Sequence, residues 1–530
     1  MPQCVSNAVH LITYPGSLGG DIQTLHRLLR AHYGDALRGI HLLPFYPSSA
    51  DRGFAPIRYD QVDPAWGSWA DVEALTNDFE LTVDFMINHL SRRSPEFQDF
   101  VARKEASPAR DLFIRYSTFW GGREPTQEQL DRIYKRKPRD PCVEVQFEDG
   151  ATEKLWCTFD EEQIDLDWST ERTREFAQET IRNLCAHGAA LIRLDAFAYA
   201  GKRAGTSCFF VEPEVWEILG HARDAAAEQG ASVLPELHEH FAYQIALARH
   251  GYPVYDFALP MLVLHALFES DTTRLRQWFQ LCPRDQITTL DTHDGIGVVD
   301  VRDLLTEDEI DRTKETLFRT GANVKRRYNA PSYNNLDIYQ INTTYYSALG
   351  NDDEAYLLAR AIQLFWPGTP QIYYVGLLAG ENDIELVERT KTGRDINRHD
   401  YTEEEFLAAL ERPVVQRLRE LLRFRNRHPA FSGDPVLLPT AAPELRIRWD
   451  DRQGNRAQLH ANLGSRRFEI TYTKIPGEPG AGSAEADTTS AGTGADNGEG
   501  GPAPGASDSA GAGTDEPEHA DRDGERSYIP

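Results

Sequence analysis

The sequence predicts an α/β protein: a (β/α)8 TIM barrel with inserted subdomains after strands three and seven and a small C-terminal β-domain. Two observations point there. Eight short apolar runs alternate with longer amphipathic segments, and several runs end in charged or polar residues. Continuous apolar strands separated by helices belong in a parallel sheet covered on both faces. Eight such units favour a closed barrel over an open doubly wound sheet, and barrels of this kind carry their chemistry at the C-terminal ends of the strands.

In chain order the runs are AVHLITY (8–14), GIHLLPF (39–45), LTVDFMINH (81–89), ALIRLDAF (190–197), SVLPELH (232–238), PVYDFALP (253–260), ITTLDTHD (287–294) and PQIYYVG (370–376). The stretches 90–167 and 295–355 are too long for simple crossovers and read as the two inserted subdomains. The barrel is then expected from 1–89, 168–294 and 356–433. After residue 433 the alternation in LRIRW and FEITYT marks a small β-domain over 434–475. Residues 476–523 are Gly, Ala, Ser, Thr, Pro and acidic residues, apart from Asn497, His519 and Arg522, with no large apolar side chain. Such a segment cannot bury enough surface to offset its ordering entropy and is expected to be disordered. The end, 524–530, regains β-character, so the acidic stretch is either a long insertion before a last strand or part of a simple tail.

Composition narrows the function classes. The net charge is −27, and eleven acidic residues against one basic place −10 of it in 476–523. That charge disfavours nucleic acid and anionic membrane surfaces as partners. No apolar run approaches the roughly 20 residues a membrane span needs. The start, MPQCVSNAVHLITY, has no basic region or cleavage site, so a cytoplasmic location is expected. The cysteines at 4, 142, 157, 185, 208 and 282 form no CxxC pair and no zinc-ligand spacing, and read as buried thiols.

The residues that carry chemistry sit at the ends of the runs. Arg193 and Asp195 are two apart on a strand and share a face, and a guanidinium beside a carboxylate keeps it ionised, as a nucleophile requires. Alone, they are equally a structural ion pair. Glu236 ends the next run. Two facing carboxyls about 5–5.5 Å apart suit a retaining glycosidic double displacement, although a Glu there could also begin a helix. His293 and Asp294 end a further run and could clamp sugar hydroxyls and offset positive charge in a transition state. Asp84, Asn88 and His89 lie on the third run, where a structural role would be ordinary.

DFMINH, IRLDAF, PELH and LDTHD resemble the four ordered signature segments of the α-amylase superfamily. The resemblance implies Asp195 as nucleophile, Glu236 as acid/base and Asp294 as stabilising carboxylate. VHLITYPGSLGG, ADRGFAPI, GTSCFFVEPE, YDFALP, LDTHDGIGV, INTTYYSAL, PGTPQIYYVGLLAG and GRDINRH resemble the sucrose phosphorylase branch from about residue 8 to about 430. That branch implies a glucosyl pocket of Asp51, Phe54, His89, Phe159, Gln163, Arg193, His293 and Arg398. It implies Tyr199, His238, Asp337, Tyr339 and Gln340 around the fructosyl part, no cofactor and no metal. The implied partners are sucrose or a related α-glucoside and inorganic phosphate, with homodimers common among relatives.

Two acceptor loops disagree. The branch pattern after a tyrosine is Arg-Pro-Arg-Pro, whereas Tyr134 is followed by KRKP. Lys137 thus stands where the phosphate-binding arginine is expected and Arg136 replaces a proline. This basic arm is more similar to relatives acting on sucrose 6′-phosphate or 2-O-α-glucosylglycerol. The segment NLDIYQIN (335–342) is similar to the sucrose enzymes. Sucrose is the first expectation, with those two substrates as alternatives. A sucrose hydrolase or α-glucosidase is the enzymatic rival, and a catalytically silent binding relative the non-enzymatic one.

Overall fold

The computed structural model describes residues 5–137, 139–322 and 339–473, and the backbone of 525–528. Its centre is one sheet of eight parallel strands: β1 (His10–Thr13), β2 (Gly39–Leu42), β3 (Glu80–Met86), β4 (Ala189–Asp195), β5 (Ser232–Pro235), β6 (Val254–Asp256), β7 (Gln286–Thr288) and β8 (Thr369–Tyr373). Every expected run supplies one strand. The order around the sheet is β6-β7-β8-β1-β2-β3-β4-β5, so every strand except β5 pairs with its successor in sequence, and β8 pairs with β1. The sheet wraps to within one strand pair of closure, and no ladder joins β5 to β6. Side chains bridge that seam: the His238 ring after β5 stacks on Phe257 after β6 with centroids 3.7 Å apart. Inside, Leu191, Leu234, Tyr255, Phe257 and Ile287 from the β4 to β7 side form a buried cluster of their own. The interior is packed rather than open, as a small barrel requires.

The strands are shorter than the apolar runs at their C-terminal ends. Proline has no N–H to offer a ladder, and β5 stops at Pro235, leaving Glu236 to donate its N–H to the Leu194 carbonyl at 3.1 Å. β7 stops at Thr288, so His293 and Asp294 sit in the loop beyond it. The register places Asp84 opposite Arg193 and Met86 opposite Asp195. Charged side chains therefore cluster at one end of neighbouring strands.

Between β3 and β4 the chain forms a strand pair, His89–Ser91 with Gln163–Asp165, and a hairpin of Cys142–Gln146 with Thr152–Trp156. Ile114, Tyr116, Trp120, Ile133 and Trp156 make a separate small core there. After β7, Ile296–Gly297 pairs with Gln340–Ile341, and helix Glu307–Arg319 starts at a capping box on Thr306.

The C-terminal sheet is antiparallel, in the order β9 (Asp434–Leu438), β10 (Glu444–Asp450), β11 (Arg456–Asn462), β12 (Arg467–Thr473) and β13 (Glu525–Tyr528). β10 and β11 alternate buried and partly exposed residues, the period of a half-covered sheet. β13 pairs with β12 from Ile470↔Tyr528 to Thr473↔Glu525. Glu525–Tyr528 is thus an added edge strand of this sheet. The acidic stretch itself, like Cys4 and Asp337, lies outside the described residues. The five described cysteines are free thiols. Among the described residues no helix is long and apolar enough to cross a membrane.

Candidate active site

A pocket of about 620 Å³ opens at the C-terminal ends of the barrel strands. Of the residues singled out in the sequence, Asp51, Phe54, His89, Phe159, Gln163, Asp195, Tyr199, Glu236, His238, His293, Asp294, Tyr339, Gln340, Arg398, Arg136 and Lys137 all line it. Arg193 lies directly behind Asp195, and Asp337 falls outside the described residues.

The floor is organised by one guanidinium. Arg193 on β4 reaches Asp195 Oδ1 at 2.9 Å, Glu236 Oε1 at 3.7 Å and Asp84 on β3. Asp84 is fully buried and is held in turn by His41 Nε2 at 2.8 Å on β2. Burial raises the Asp84 carboxyl, but His41 and Arg193 outweigh it and hold it down at about 2. Sequence reasoning missed the His41–Asp84 support, because it depends on the sheet register, which sets His41 opposite Thr82, two residues before Asp84 on the same face.

The turn after Asp195 is strained. Ala196 has φ 53°, a left-handed conformation that costs a non-glycine residue about 1–2 kcal/mol. It turns the Ala196 N–H toward Glu236 Oε2 at 3.1 Å, so the strain fixes the second carboxyl against the first. Asp51 and Arg52 are left-handed as well, at φ 53° and 48°, where the chain carries Asp51 into the pocket wall.

Electrostatics at Asp195 departs from the sequence expectation. Burial and the neighbouring charge of Glu236 push the Asp195 carboxyl well above its usual range, with Arg193 opposing them. One guanidinium shared by three carboxylates does not guarantee the charge of any one of them. Asp294 behaves differently. Burial works against its charge, but Arg394 Nη1 at 3.2 Å and the imidazoles around it hold it well below the usual carboxylate range. Burial pushes the His293 imidazole well down, against the pull of the Asp294 carboxylate.

The side walls are aromatic and polar. Phe54 lies parallel to His293 with centroids 5.0 Å apart, and its carbonyl accepts from Gln163 Nε2 at 3.0 Å and approaches His89 Nε2 at 2.8 Å. Phe159 packs edge-on against His89 and Tyr199. Arg398 donates through Nε to the His293 carbonyl at 2.9 Å, while its Nη2 is buried with no partner. Nδ1 of His293 and both ring nitrogens of His238 are likewise buried and unsatisfied. Buried polar atoms in native proteins are almost always paired, so this concentration of orphans in one pocket marks it as built for a polar ligand. Arg394 was missed although its motif GRDINRH was noticed, since only its neighbour Arg398 was singled out.

The outer wall carries the basic arm. Arg136 stacks over the Tyr339 ring with Cζ 3.9 Å from its centroid, and Tyr339 Oη donates to the His238 carbonyl at 2.6 Å. Lys137 lines the same pocket but pairs with Asp160 at 3.1 Å. Arg136 has no carboxylate partner among the described residues, so it is the freer cation of the two. At the base of this wall the buried Lys202 ammonium joins Asp165 at 2.7 Å and Asn88 Oδ1 at 2.9 Å, tying the inserted segment to the end of β3.

Ligand atoms of Glu236, His238 and Asp294 lie within 4.8 Å of one another, close enough to hold a metal ion. Arg193 beside Glu236 and Arg394 beside Asp294 already supply positive charge there, and the set fits sugar hydroxyls and proton transfer better than a cation. Asp195, Glu236 and Asp294 keep 15%, 12% and 12% of their side-chain surface exposed, so a ligand in the pocket can reach them.

Residues 20–247 match the family model for the alpha amylase catalytic domain. Sucrose phosphorylase of Streptococcus mutans is 52% identical over 88% of this chain and 98% of its own. Glucosylglycerol phosphorylase of Marinobacter adhaerens is 42% identical over 89% and 98%. The crystal structure of sucrose 6F-phosphate phosphorylase from Thermoanaerobacter thermosaccharolyticum superposes with a TM-score of 0.86 at 41% identity, covering 89% of this chain and 97% of that one. With the barrel, its carboxylate floor and these likenesses together, the chain belongs to the sucrose phosphorylase branch of the α-amylase superfamily and is an enzyme of the glycosyltransferase type, a phosphorylase of glucosides.

Proposed function

We propose that this enzyme is a sucrose phosphorylase, converting sucrose and phosphate to α-D-glucose 1-phosphate and D-fructose through a β-glucosyl-enzyme on Asp195. The observation that carries the reading is the gathering of Asp195 and Glu236 around one guanidinium, at the floor of a pocket rich in unsatisfied polar atoms. Arg193 faces both carboxyls, and in the reaction Glu236 carries the proton beside the leaving oxygen while Asp195 reacts as the carboxylate. Asp195 then attacks the anomeric carbon as the bond to the fructosyl oxygen breaks, and Glu236 gives its proton to that oxygen. Phosphate next attacks the same carbon from the side fructose left, giving up a proton to Glu236 as Asp195 departs as carboxylate, and configuration is retained overall. Asp294, held ionised, faces the positive charge that develops on the sugar ring. Asp51 and Arg398 clamp hydroxyls, with Phe54 and Phe159 as apolar walls.

Phosphate has to outcompete water, which calls for a cation on the acceptor side. The geometry favours Arg136 for this over Lys137, because Asp160 neutralises the lysine. Residues 90–167 and 295–355 supply this acceptor side, 1–89, 168–294 and 356–433 the barrel, and 434–475 with 524–530 the β-domain. A cytoplasmic homodimer completes the reading. The basic arm itself favours a second reading, sucrose 6′-phosphate, whose phosphoryl group would lie against Arg136.

A donor panel of sucrose, sucrose 6′-phosphate, 2-O-α-glucosylglycerol and glucosylglycerate, each with phosphate, tests the choice through glucose 1-phosphate release. Sucrose should have the highest kcat/KM. A higher value for any other donor overturns the substrate, and release of glucose without phosphate dependence overturns the phosphorylase reading.

A further inference from the structure

A buried carboxylate behind the acceptor side has no part in the reaction as described. Asp300, in the single turn Val299–Val301, is 3% exposed, and its Oδ2 lies 3.6 Å from Nδ1 of His238. The other ring nitrogen, Nε2, points between Glu236 Oε1 at 3.7 Å and Asp294 Oδ2 at 3.9 Å. Those separations are too long for hydrogen bonds, and they leave space for one ligand oxygen. Both ring nitrogens and Asp300 Oδ2 lack a hydrogen-bond partner. The ring cannot drift: it stacks on Phe257 at 3.7 Å and 16°, and its own carbonyl accepts from Tyr339. Asp300 is seated as firmly, because its carboxylate lies so close over Gly297 that a Cβ there would collide with it.

Resting on the glucosyl-transfer reading of the pocket, we propose that Asp300 is a positioning residue: its carboxylate, 3.6 Å from Nδ1 of His238, acts on the ring through its charge and favours the imidazole that carries a proton on both nitrogens, so that Nε2 presents its proton to a substrate oxygen between Glu236 and Asp294. The charges around the ring agree with this. Glu236 precedes it on the same loop, Asp294 faces it from the loop after β7, and Asp300 stands behind it with Glu239 acting on that carboxylate. The cations are more distant, Arg394 reaching the ring through Asp294 and Arg136 through Tyr339. Burial lowers the His238 imidazole, but Asp300, Glu236 and Asp294 outweigh it and raise it above its ordinary value. The cationic ring is therefore present below that raised value and lost as pH rises through it.

Two variants remove the carboxylate's effect by different routes. Asp300→Asn keeps the shape and deletes the charge, and Gly297→Ala displaces the carboxylate with a methyl group without changing any titratable residue. With [13Cε1]-histidine labelling and His238 assigned through His238→Gln, the NMR titration midpoint of His238 should fall by about one unit in both variants. The alkaline limb of kcat/KM should move to lower pH by the same amount, with the acid-side plateau kept. An unchanged His238 midpoint in both variants overturns the proposal, as does a uniform loss of activity at every pH with the profile in place. A shifted midpoint in an enzyme inactive on every glucoside tested upholds the Asp300–His238 coupling and rejects the glucosyl-transfer reading instead.

Discussion

At the scale of single residues, Arg193 decides the character of the site. Its contacts to Asp195, Glu236 and Asp84 hold three carboxylates at one strand end, an arrangement that burial would forbid without a cation at its centre. If Glu236 is the proton donor, its loss should matter in proportion to the leaving group's need for a proton. Glu236→Gln should lower kcat on sucrose by about 100- to 10,000-fold, and far less on α-glucosyl fluoride, which leaves without one. Equal losses on both substrates would assign Glu236 another role. Asp84 makes a pH-dependent contribution of its own. Its depressed value near 2 means that its stabilisation is complete above the unfolded-state value of about 3.9 and is lost as pH falls toward 2. Thermal unfolding between pH 4 and pH 2 should therefore fall more steeply in the wild type than in Asp84→Asn. At this scale the sequence was most legible where strand alternation applies: Arg193 and Asp195 share a face and do meet. The upward push on Asp195 was not legible, because it depends on burial and on Glu236 and Asp84 arriving from other parts of the chain.

At the scale of elements, all eight runs were readable as strands, since continuous apolar stretches of that length have few other uses. Their C-terminal boundaries were not. Glu236, His238, His293 and Asp294 lie beyond the last ladder residues of β5 and β7, because strand ends are set by tertiary pairing and by Pro235. The seam between β5 and β6 was equally hidden, as nothing in either run records that His238 and Phe257 fill it. Helix Asp353–Phe365 shows how the elements lock together. Every residue from Ala355 onward is buried, and Arg360 reaches Asp291 at 2.7 Å beside Gly376, where a Cβ would strike both side chains. Arg360→Met should strand the Asp291 carboxylate and cost about 3–5 kcal/mol, read as a lower denaturation midpoint. A midpoint equal to that of the wild type would show the pair to be dispensable.

At the scale of the whole molecule, the barrel supplies the floor of the pocket, and Arg136, Lys137, Phe159, Tyr339 and Gln340 from the segments after β3 and β7 supply part of its wall. The floor motifs were legible as short, ordered strings. The acceptor wall was legible only in part, because Arg136 and Lys137 are adjacent in sequence and diverge in space, one onto Tyr339 and the other onto Asp160. The acidic insertion belongs to this scale too. Thr473 and Glu525 stand opposite each other in the β12–β13 ladder, so removing 478–523 leaves a five-residue hairpin connection of ordinary length. The shortened enzyme should keep its turnover and its melting temperature, and a large loss of either would give the insertion a role that its composition does not suggest.

The central claim is retaining transfer of a glucosyl unit to phosphate. The most direct measurement is an NMR time course of sucrose with phosphate, in which the anomeric proton and the phosphorus signal identify the first product. The account predicts α-glucose 1-phosphate as that product, formed at a rate that rises with phosphate and vanishes in Asp195→Asn. First-formed β-glucose 1-phosphate, or free glucose at a rate indifferent to phosphate, would contradict it.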